Sequence, residues 1–276
     1  MRVFVMGAGR AGRALAHAMR ASGVAVVGLH GRRPAGDATS GALPPSLSTA
    51  TVVLVTVRDG ELDAALGELA TANLAPGAVV LHASGSAQPA ALDALRAQGH
   101  PGGTFHPLLP LADPVRAAEQ LRGAWIGIDG DAVAREASRA IAAAIGARVL
   151  EIPEGAKARY HAAAVIASNF PVVLLSLASQ LLTASGVDAE AARGALSTLL
   201  SAAAENLRAH EPRAALTGPV ARGDVDTVRA HLAALASSPA LLEIYRALSR
   251  EALPLAAAAG ADPARLRDLA RVLNDG

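Results

Sequence analysis

A single lysine, Lys157, stands among 25 basic residues, and Tyr160 and His161 follow it closely. On a helix, positions i, i+3 and i+4 share one face, so an ammonium, a phenol and an imidazole would be directed at one place. Such a trio can donate, accept or relay a proton at a reacting oxygen. An ammonium is compact and its pKa tunable in ways a guanidinium is not. Its retention in a chain that otherwise uses arginine points to proton chemistry at Lys157, a leftover surface lysine being the competing reading. Asn169 lies further along the same stretch and reaches that side less directly.

Gly7-Ala8-Gly9-Arg10-Ala11-Gly12 fits the pattern G-x-G-x-x-G. Glycine-rich hexamers are common, and this one gains weight from its context. It follows the apolar run Arg2 to Met6 and opens a stretch in which Ala11, Leu15, Ala18 and Met19 recur at helical spacing. A turn of that kind brings backbone N–H groups to a diphosphate at a helix N-terminus. An ordinary strand-to-helix turn is the alternative. About 20 residues beyond Gly12 an acidic residue would bind a ribose 2′-hydroxyl, but His30-Gly31-Arg32-Arg33 stands there instead. Guanidinium groups at Arg32 and Arg33 suit a 2′-phosphate that an aspartate would repel. NADP(H) is therefore the expected cofactor. Val57 and Arg58, at the carboxyl end of the third strand, are counted with the cofactor-binding residues.

Other polar residues fall at strand ends, where ligands bind in open α/β sheets. Ser84, in His82-Ala83-Ser84-Gly85, can hydrogen-bond a substrate or the nicotinamide amide, and His106, in Thr104-Phe105-His106-Pro107, can line the pocket. Either His82 or His106 can equally be a hydrogen-bonded core residue. Three histidines, His82, His106 and His161, lack the spacing of metal-ligand pairs, so no metal is expected. Thr217-Gly218-Pro219-Val220-Ala221-Arg222-Gly223-Asp224 is a polar loop that either caps helices or offers Thr217 and Arg222 to a substrate, with Arg222 clamping a carboxylate.

The elements that must position these residues alternate. Strands are expected at Arg2–Met6, Val24–Leu29, Thr51–Val57, Ala78–His82, Gly103–His106, Ala124–Ile128 and Ala147–Ile152, with helices between most of them. Asp59 is expected to cap the helix that carries Leu62, Leu66 and Leu69. The Pro- and Gly-rich stretch Pro34 to Ala50 leaves room for at most a short helix. This is the pattern of an α/β fold, a doubly wound parallel sheet of the Rossmann type. Past Pro153 long Ala/Leu helices take over, stopped and recapped at Gly186 with Asp188 and at Gly260 with Asp262 and Pro263. The expected domains are a nucleotide-binding domain over residues 1–152 and a smaller all-helical domain over 153–276, serving substrate binding and dimerisation.

Composition narrows the function. The 25 basic and 24 acidic residues are interspersed, with no run able to track a phosphate backbone, so nucleic acid is not an expected partner. No cysteine is present, which removes disulfides and thiolate metal sites. A strand beginning at Arg2 leaves no room for a signal peptide, and cytoplasmic residence is the default. Ala162 to Val187 carries no charge, but Ser168, Asn169, Pro171, Ser176, Ser179 and Gln180 interrupt it; a helix buried in a domain or dimer is expected rather than a membrane span.

Taken in order, Gly7-Ala8-Gly9-Arg10-Ala11-Gly12, His82-Ala83-Ser84-Gly85, His106-Pro107, Lys157-Ala158-Arg159-Tyr160-His161-Ala162-Ala163 with Asn169, and Leu216-Thr217-Gly218-Pro219 with Arg222-Gly223-Asp224 form a set. With these the chain resembles a family of Rossmann-like short-subunit oxidoreductases whose C-terminal half is a domain of unknown function. More distantly it is similar to ketopantoate reductases, pyrroline-5-carboxylate reductases and β-hydroxyacid dehydrogenases, with a second domain like that of 6-phosphogluconate dehydrogenase. The hydroxyacid and ketopantoate enzymes use a lysine with an asparagine four residues later; Lys157 matches the lysine, and His161 replaces the asparagine. The resemblance implies hydride transfer between NADPH and a small carbonyl or imine, a 2-keto acid by preference, in an interdomain cleft of a homodimer. Lys157 would stabilise the oxyanion, and Tyr160 or His161 would relay the proton. A non-catalytic NADP(H) sensor and a deazaflavin-dependent reductase are the rival readings.

Overall fold

The computed structural model describes residues 1–111 and 113–275. Seven strands, β1 (Arg2–Met6), β2 (Ala25–His30), β3 (Val52–Val55), β4 (Val79–His82), β5 (Gly102–Pro107), β6 (Trp125–Gly130) and β7 (Arg148–Glu151), form one sheet in the order β2-β1-β3-β4-β5-β6-β7. Helices α1 (Arg10–Ala21), α2 (Leu62–Thr71), α3 (Asp93–Ala97), α4 (Pro114–Gln120) and α5 (Ala132–Ala144) lie between the strands in sequence. Successive residues of β1 and β3 face opposite layers. Val3, Val5, Val52 and Leu54 join one buried core with α1 and α5, while Phe4, Met6, Val53 and Val55 join a second with α2 and α3. Both faces are covered, which is why these strands read as unbroken apolar runs. From Pro34 to Ala50 only a single 3₁₀ turn forms, Pro45–Thr49.

The sheet is mostly parallel, and one expectation is corrected. β5 and β6 pair antiparallel, with His106 opposite Gly127 and Thr104 opposite Asp129. The connecting helix α4 has seven residues and rises only about 10 Å. The chain does not travel back along β5 before β6 begins, although the shorter α3 does serve the parallel pair β4 and β5. The connection returns instead to the edge it left, where Leu108 N–H bonds the Trp125 carbonyl at 2.8 Å.

Compactness divides the chain into residues Met1–Asn169 and Phe170–Gly276, while strands give way to helices after Ile152. The helix α6 (Lys157–Ala184) crosses the compactness division. The second unit continues through α7 (Ala189–Ala209), α8 (Pro212–Ala215), α9 (Pro219–Arg222), α10 (Val225–Ala234), α11 (Pro239–Ala258) and α12 (Pro263–Asn274). Its core is small: Val220, Val228, Ala256, Leu266, Leu269 and Leu273. The punctuation falls as read from sequence, Asp188 accepting from the Glu190 and Ala191 amides and Asp262 from that of Ala264. α6 is long and apolar enough to cross a membrane, with a window of mean hydropathy 1.8 and none of that window buried.

Candidate active site

The sheet order reverses at β1, since β2 lies on one side of it and β3 on the other. In open α/β sheets such a point opens a crevice at the carboxyl ends of the strands. Gly7 begins the loop there with φ +119°, a region that side chains avoid. A Cβ on Gly12 would collide with the Gly7 carbonyl oxygen and with Thr56 Oγ1. That hydroxyl in turn donates to the Gly7 carbonyl at 2.8 Å. The fold itself therefore requires Gly7 and Gly12. Gly9 differs, because among the described residues a Cβ there would meet nothing within 4 Å beyond its own chain neighbours; the space it leaves is open. Gly9 caps α1 with no side-chain acceptor, and the first turn carries no acidic residue. The free N–H groups of that turn form an anion seat, so the loop fits a diphosphate.

The remaining cofactor positions surround this loop. A Cβ on Gly31 would lie 2.7 Å from the Ala8 methyl, so the end of β2 runs against the loop and sets Arg32 and Arg33 beside it. Both arginines, Arg10 and Arg58 are exposed, and Val57 is half-buried. Arg32 Nη2 donates to Glu61 Oε1 at 2.7 Å, a partner that sequence reasoning did not anticipate.

Around the ends of β4, β5 and β6 the first turns of α6 bring polar groups together on one sheet face. Lys157 is 3% exposed and its Nζ donates to Thr104 Oγ1 at 2.5 Å and Asp129 Oδ2 at 3.0 Å. Burial pulls the ammonium pKa below its usual value while Asp129 opposes the shift. Beyond Thr104, His82 Nε2 lies 3.5 Å from Oγ1, completing a buried chain from carboxylate to imidazole. Lys157 is thus committed to its neighbours. These bonds hold the start of α6 against the sheet, and the expected meeting with an oxyanion would call on the ammonium's third N–H.

A second polar chain stands beside the first. Tyr160 Oη lies 2.6 Å from His106 Nδ1. Burial raises the phenol pKa, with the Asp129 charge adding to it. His106 is pushed down to about 4 by burial and then by the charges of Lys157 and His161. The phenol therefore donates to a neutral imidazole, whose Nε2 then carries the proton. Room for the phenol exists because position 127 lacks a side chain; a Cβ on Gly127 would run into the Tyr160 hydroxyl. His161 completes the group. A Cβ on Gly85 would lie 2.6 Å from His161 Nδ1 and 2.9 Å from His106 Nε2, so both nitrogens converge on that glycine. His161 Nδ1 is buried and has no hydrogen-bond partner among the described residues.

Other candidates sit differently. The Ser84 hydroxyl is buried and accepts from the Ala87 amide at 3.0 Å, closing the turn after β4. Asp59 is not the cap of α2; it accepts from the Ser86 hydroxyl at 2.7 Å, and it raises the pKa of His106 through space. Asn169 is exposed and accepts from its neighbour Ser168. Thr217 and Arg222 are exposed in the second unit, where Asp224 of the same loop caps α10 through the Thr227 amide at 3.1 Å. Among the described residues no group of three His, Asp or Glu side chains could hold a metal ion. Sequence reasoning passed over Asp129 and Gly127, and took Gly85 only as part of a motif. The signal for Asp129 was available, a carboxylate closing the apolar run from Trp125 to Ile128.

Burial of the two neutral histidines makes folding pH-dependent. His82 and His106 titrate near 4 when folded against 6.5 as free groups. Between those values the unfolded chain binds more protons, so stability falls as the pH drops from 6.5 toward 4. The full loss is on the order of 3 kcal/mol for each histidine. Denaturant titrations across that range check this, and His82→Gln should flatten the dependence.

Residues 124–252 match the family model described as "Domain of unknown function (DUF2520)". The match begins at β6 and so takes in the sheet's last strands, where Asp129 and Gly127 lie, together with most of the helical unit. It agrees with the resemblance carried by the sequence motifs. No curated protein matches the sequence. Solved structures share the fold over nearly the whole chain. A Thermotoga maritima protein superposes with a TM-score of 0.68 at 24% identity, covering 91% of this chain and 98% of its own. The pyrroline carboxylate reductase of Plasmodium falciparum with NADP bound gives 0.62 at 11% identity over 98% of each chain. The imine reductase of Myxococcus stipitatus in complex with NADP+ gives 0.62 at 18% identity, covering 99% of this chain and 100% of its own. The Rossmann-like α/β fold is established by these likenesses.

Proposed function

We propose that the chain is an NADPH-dependent reductase of a small carbonyl or imine compound, with His106 as the proton donor and Tyr160 behind it. The observation that carries this reading is the 2.6 Å contact between the phenol and Nδ1, on a neutral imidazole whose other nitrogen converges with His161 on Gly85. Gly7 to Gly12 would hold the diphosphate, and Arg32 and Arg33 the 2′-phosphate. When bound, the reduced nicotinamide supplies a hydride. The structures of reductases with NADP bound, similar in fold, support the same choice of cofactor.

The chain's own groups handle the proton. A neutral imidazole polarises a carbonyl without carrying charge into the site. As the carbonyl oxygen becomes an alkoxide it takes the Nε2 proton of His106, and the phenol proton moves to Nδ1, leaving a tyrosinate that water reprotonates. An alkoxide is the stronger base, so the transfer runs downhill even to a buried phenol. Lys157 acts at one remove, its charge keeping His106 neutral. The resemblance to ketopantoate reductases favours a 2-keto acid, and that to pyrroline-5-carboxylate reductases a cyclic imine.

Exposed Phe170, Val172, Val173 and Leu174 on α6 and Leu199, Leu200 and Leu207 on α7 support a homodimer that covers them; sedimentation as a monomer would count against the dimer. The deciding experiment presents NADPH with a panel of 2-keto acids and cyclic imines and follows its oxidation. Turnover of at least one compound is expected. Tight NADPH binding with silence across the panel would leave a nucleotide sensor in its place.

A further inference from the structure

We propose that Glu61 is a built-in competitor for the adenosine 2′-phosphate, occupying the anion seat of Arg32 until a phosphorylated nucleotide displaces it. The inference rests on the nucleotide-binding reading above and adds a residue that sets its selectivity. Arg32 follows β2 and Glu61 ends the 3₁₀ turn Asp59–Glu61 after β3, while β1 lies between those two strands in the sheet. Their ion pair, 2.7 Å from Nη2 to Oε1, therefore spans the carboxyl end of β1, above the start of the glycine loop. The contact of Gly31 with Ala8 fixes the backbone of the arginine's neighbour against that loop.

A carboxylate on the guanidinium takes one of the N–H edges that a phosphate would use. The arginine side chain is 77% exposed and the glutamate 30%, so the pair is weakly held and opens readily. A dianionic phosphate outbids a monoanionic carboxylate for the same guanidinium, but only after separating the two. A 2′-hydroxyl carries no charge to effect that exchange. Glu61 thus lowers affinity for the phosphorylated nucleotide while keeping Arg32 in place, and it brings the acidic group from β3 that strand β2 lacks.

The test uses 2′,5′-ADP and 5′-ADP as probes, titrated calorimetrically into the wild-type protein and Glu61→Gln. Glu61→Gln should bind 2′,5′-ADP about fivefold more tightly, as expected from removing one exposed ion pair. Its affinity for 5′-ADP should stay within about twofold, the variation expected of a surface change. In an Arg32→Ala background the same substitution should give no gain. Unchanged or weaker 2′,5′-ADP binding overturns the proposal, as does an equal gain for both probes. Loss of 5′-ADP affinity alone would make Glu61 the acceptor for a 2′-hydroxyl, which also overturns it. If the wild-type protein binds neither probe, the nucleotide reading itself fails, an outcome distinct from normal binding that Glu61→Gln leaves unaltered.

Discussion

Replacing Tyr160 by Phe should lower kcat about a hundredfold or more, the loss expected from removing one proton-transfer group. NADPH affinity should be unaffected, because the phenol meets His106 and the glycine loop lies at other strands. His106→Gln should be at least as damaging, since it removes the nitrogen proposed as proton donor as well as the acceptor for the phenol. The pair acts as a unit, so the double variant should be little worse than either single one. Lys157→Met offers the contrast. It strands the Asp129 carboxylate in a partly buried site, and its principal cost should be about 3 kcal/mol of folding stability. Stopped-flow kinetics beside denaturant titrations separate the two outcomes. Full turnover in Tyr160→Phe would remove the relay from the mechanism.

Gly12→Ala should abolish nucleotide binding and cost on the order of 1–3 kcal/mol of stability, the usual effect of overpacking. The new methyl collides with the Gly7 carbonyl, so the loop must move. Gly9→Ala is the sharper experiment. Among the described residues nothing beyond its own chain neighbours lies within 4 Å of a Cβ there, and the variant should fold as the wild type does. Its nucleotide affinity should nonetheless fall about tenfold or more, because the methyl would stand where backbone N–H groups approach the diphosphate. Calorimetric titration with NADPH, paired with thermal unfolding, checks both. An unchanged affinity in Gly9→Ala would mean that the open space serves no ligand.

Most strands were legible because parallel strands covered on both faces spell continuous apolar runs, as Val52 to Val55 does. Helix ends were legible at Asp188 and Asp262, where one side chain caps the turn after a glycine stop. The reversal at β6 was not, because strand direction depends on how far a connection carries the chain, and apolar runs look the same both ways. The grouping of Lys157, Tyr160 and His161 came from helical spacing alone, and α6 indeed turns all three toward the sheet and its loops. Spacing gave no sign of how differently they are used. Burial of Lys157 depends on Asp129 and Thr104, which are 28 and 53 residues away. No local pattern reports an ion pair across that separation. Asp59 was misread as a helix cap for a related reason: short polar side chains readily bond nearby backbone and hydroxyl groups, and the Ser86 hydroxyl after β4 claims it first.

The antiparallel pairing of β5 with β6 constrains how this sequence can change. Thr104 and Asp129 are cross-strand partners, and so are His106 and Gly127; the period of two sets all four on the same side of the pleat. Inserting residues between Leu108 and Ala124 lengthens a connection that starts and finishes at one rim, and the pairing survives. One residue inserted within Ile126 to Asp129 rotates the remainder of the strand by half a turn, facing the carboxylate into the Ile128 layer and bringing a bulky side chain beneath the phenol. Length variation is therefore tolerated in the excursion and forbidden in the strand at its far end.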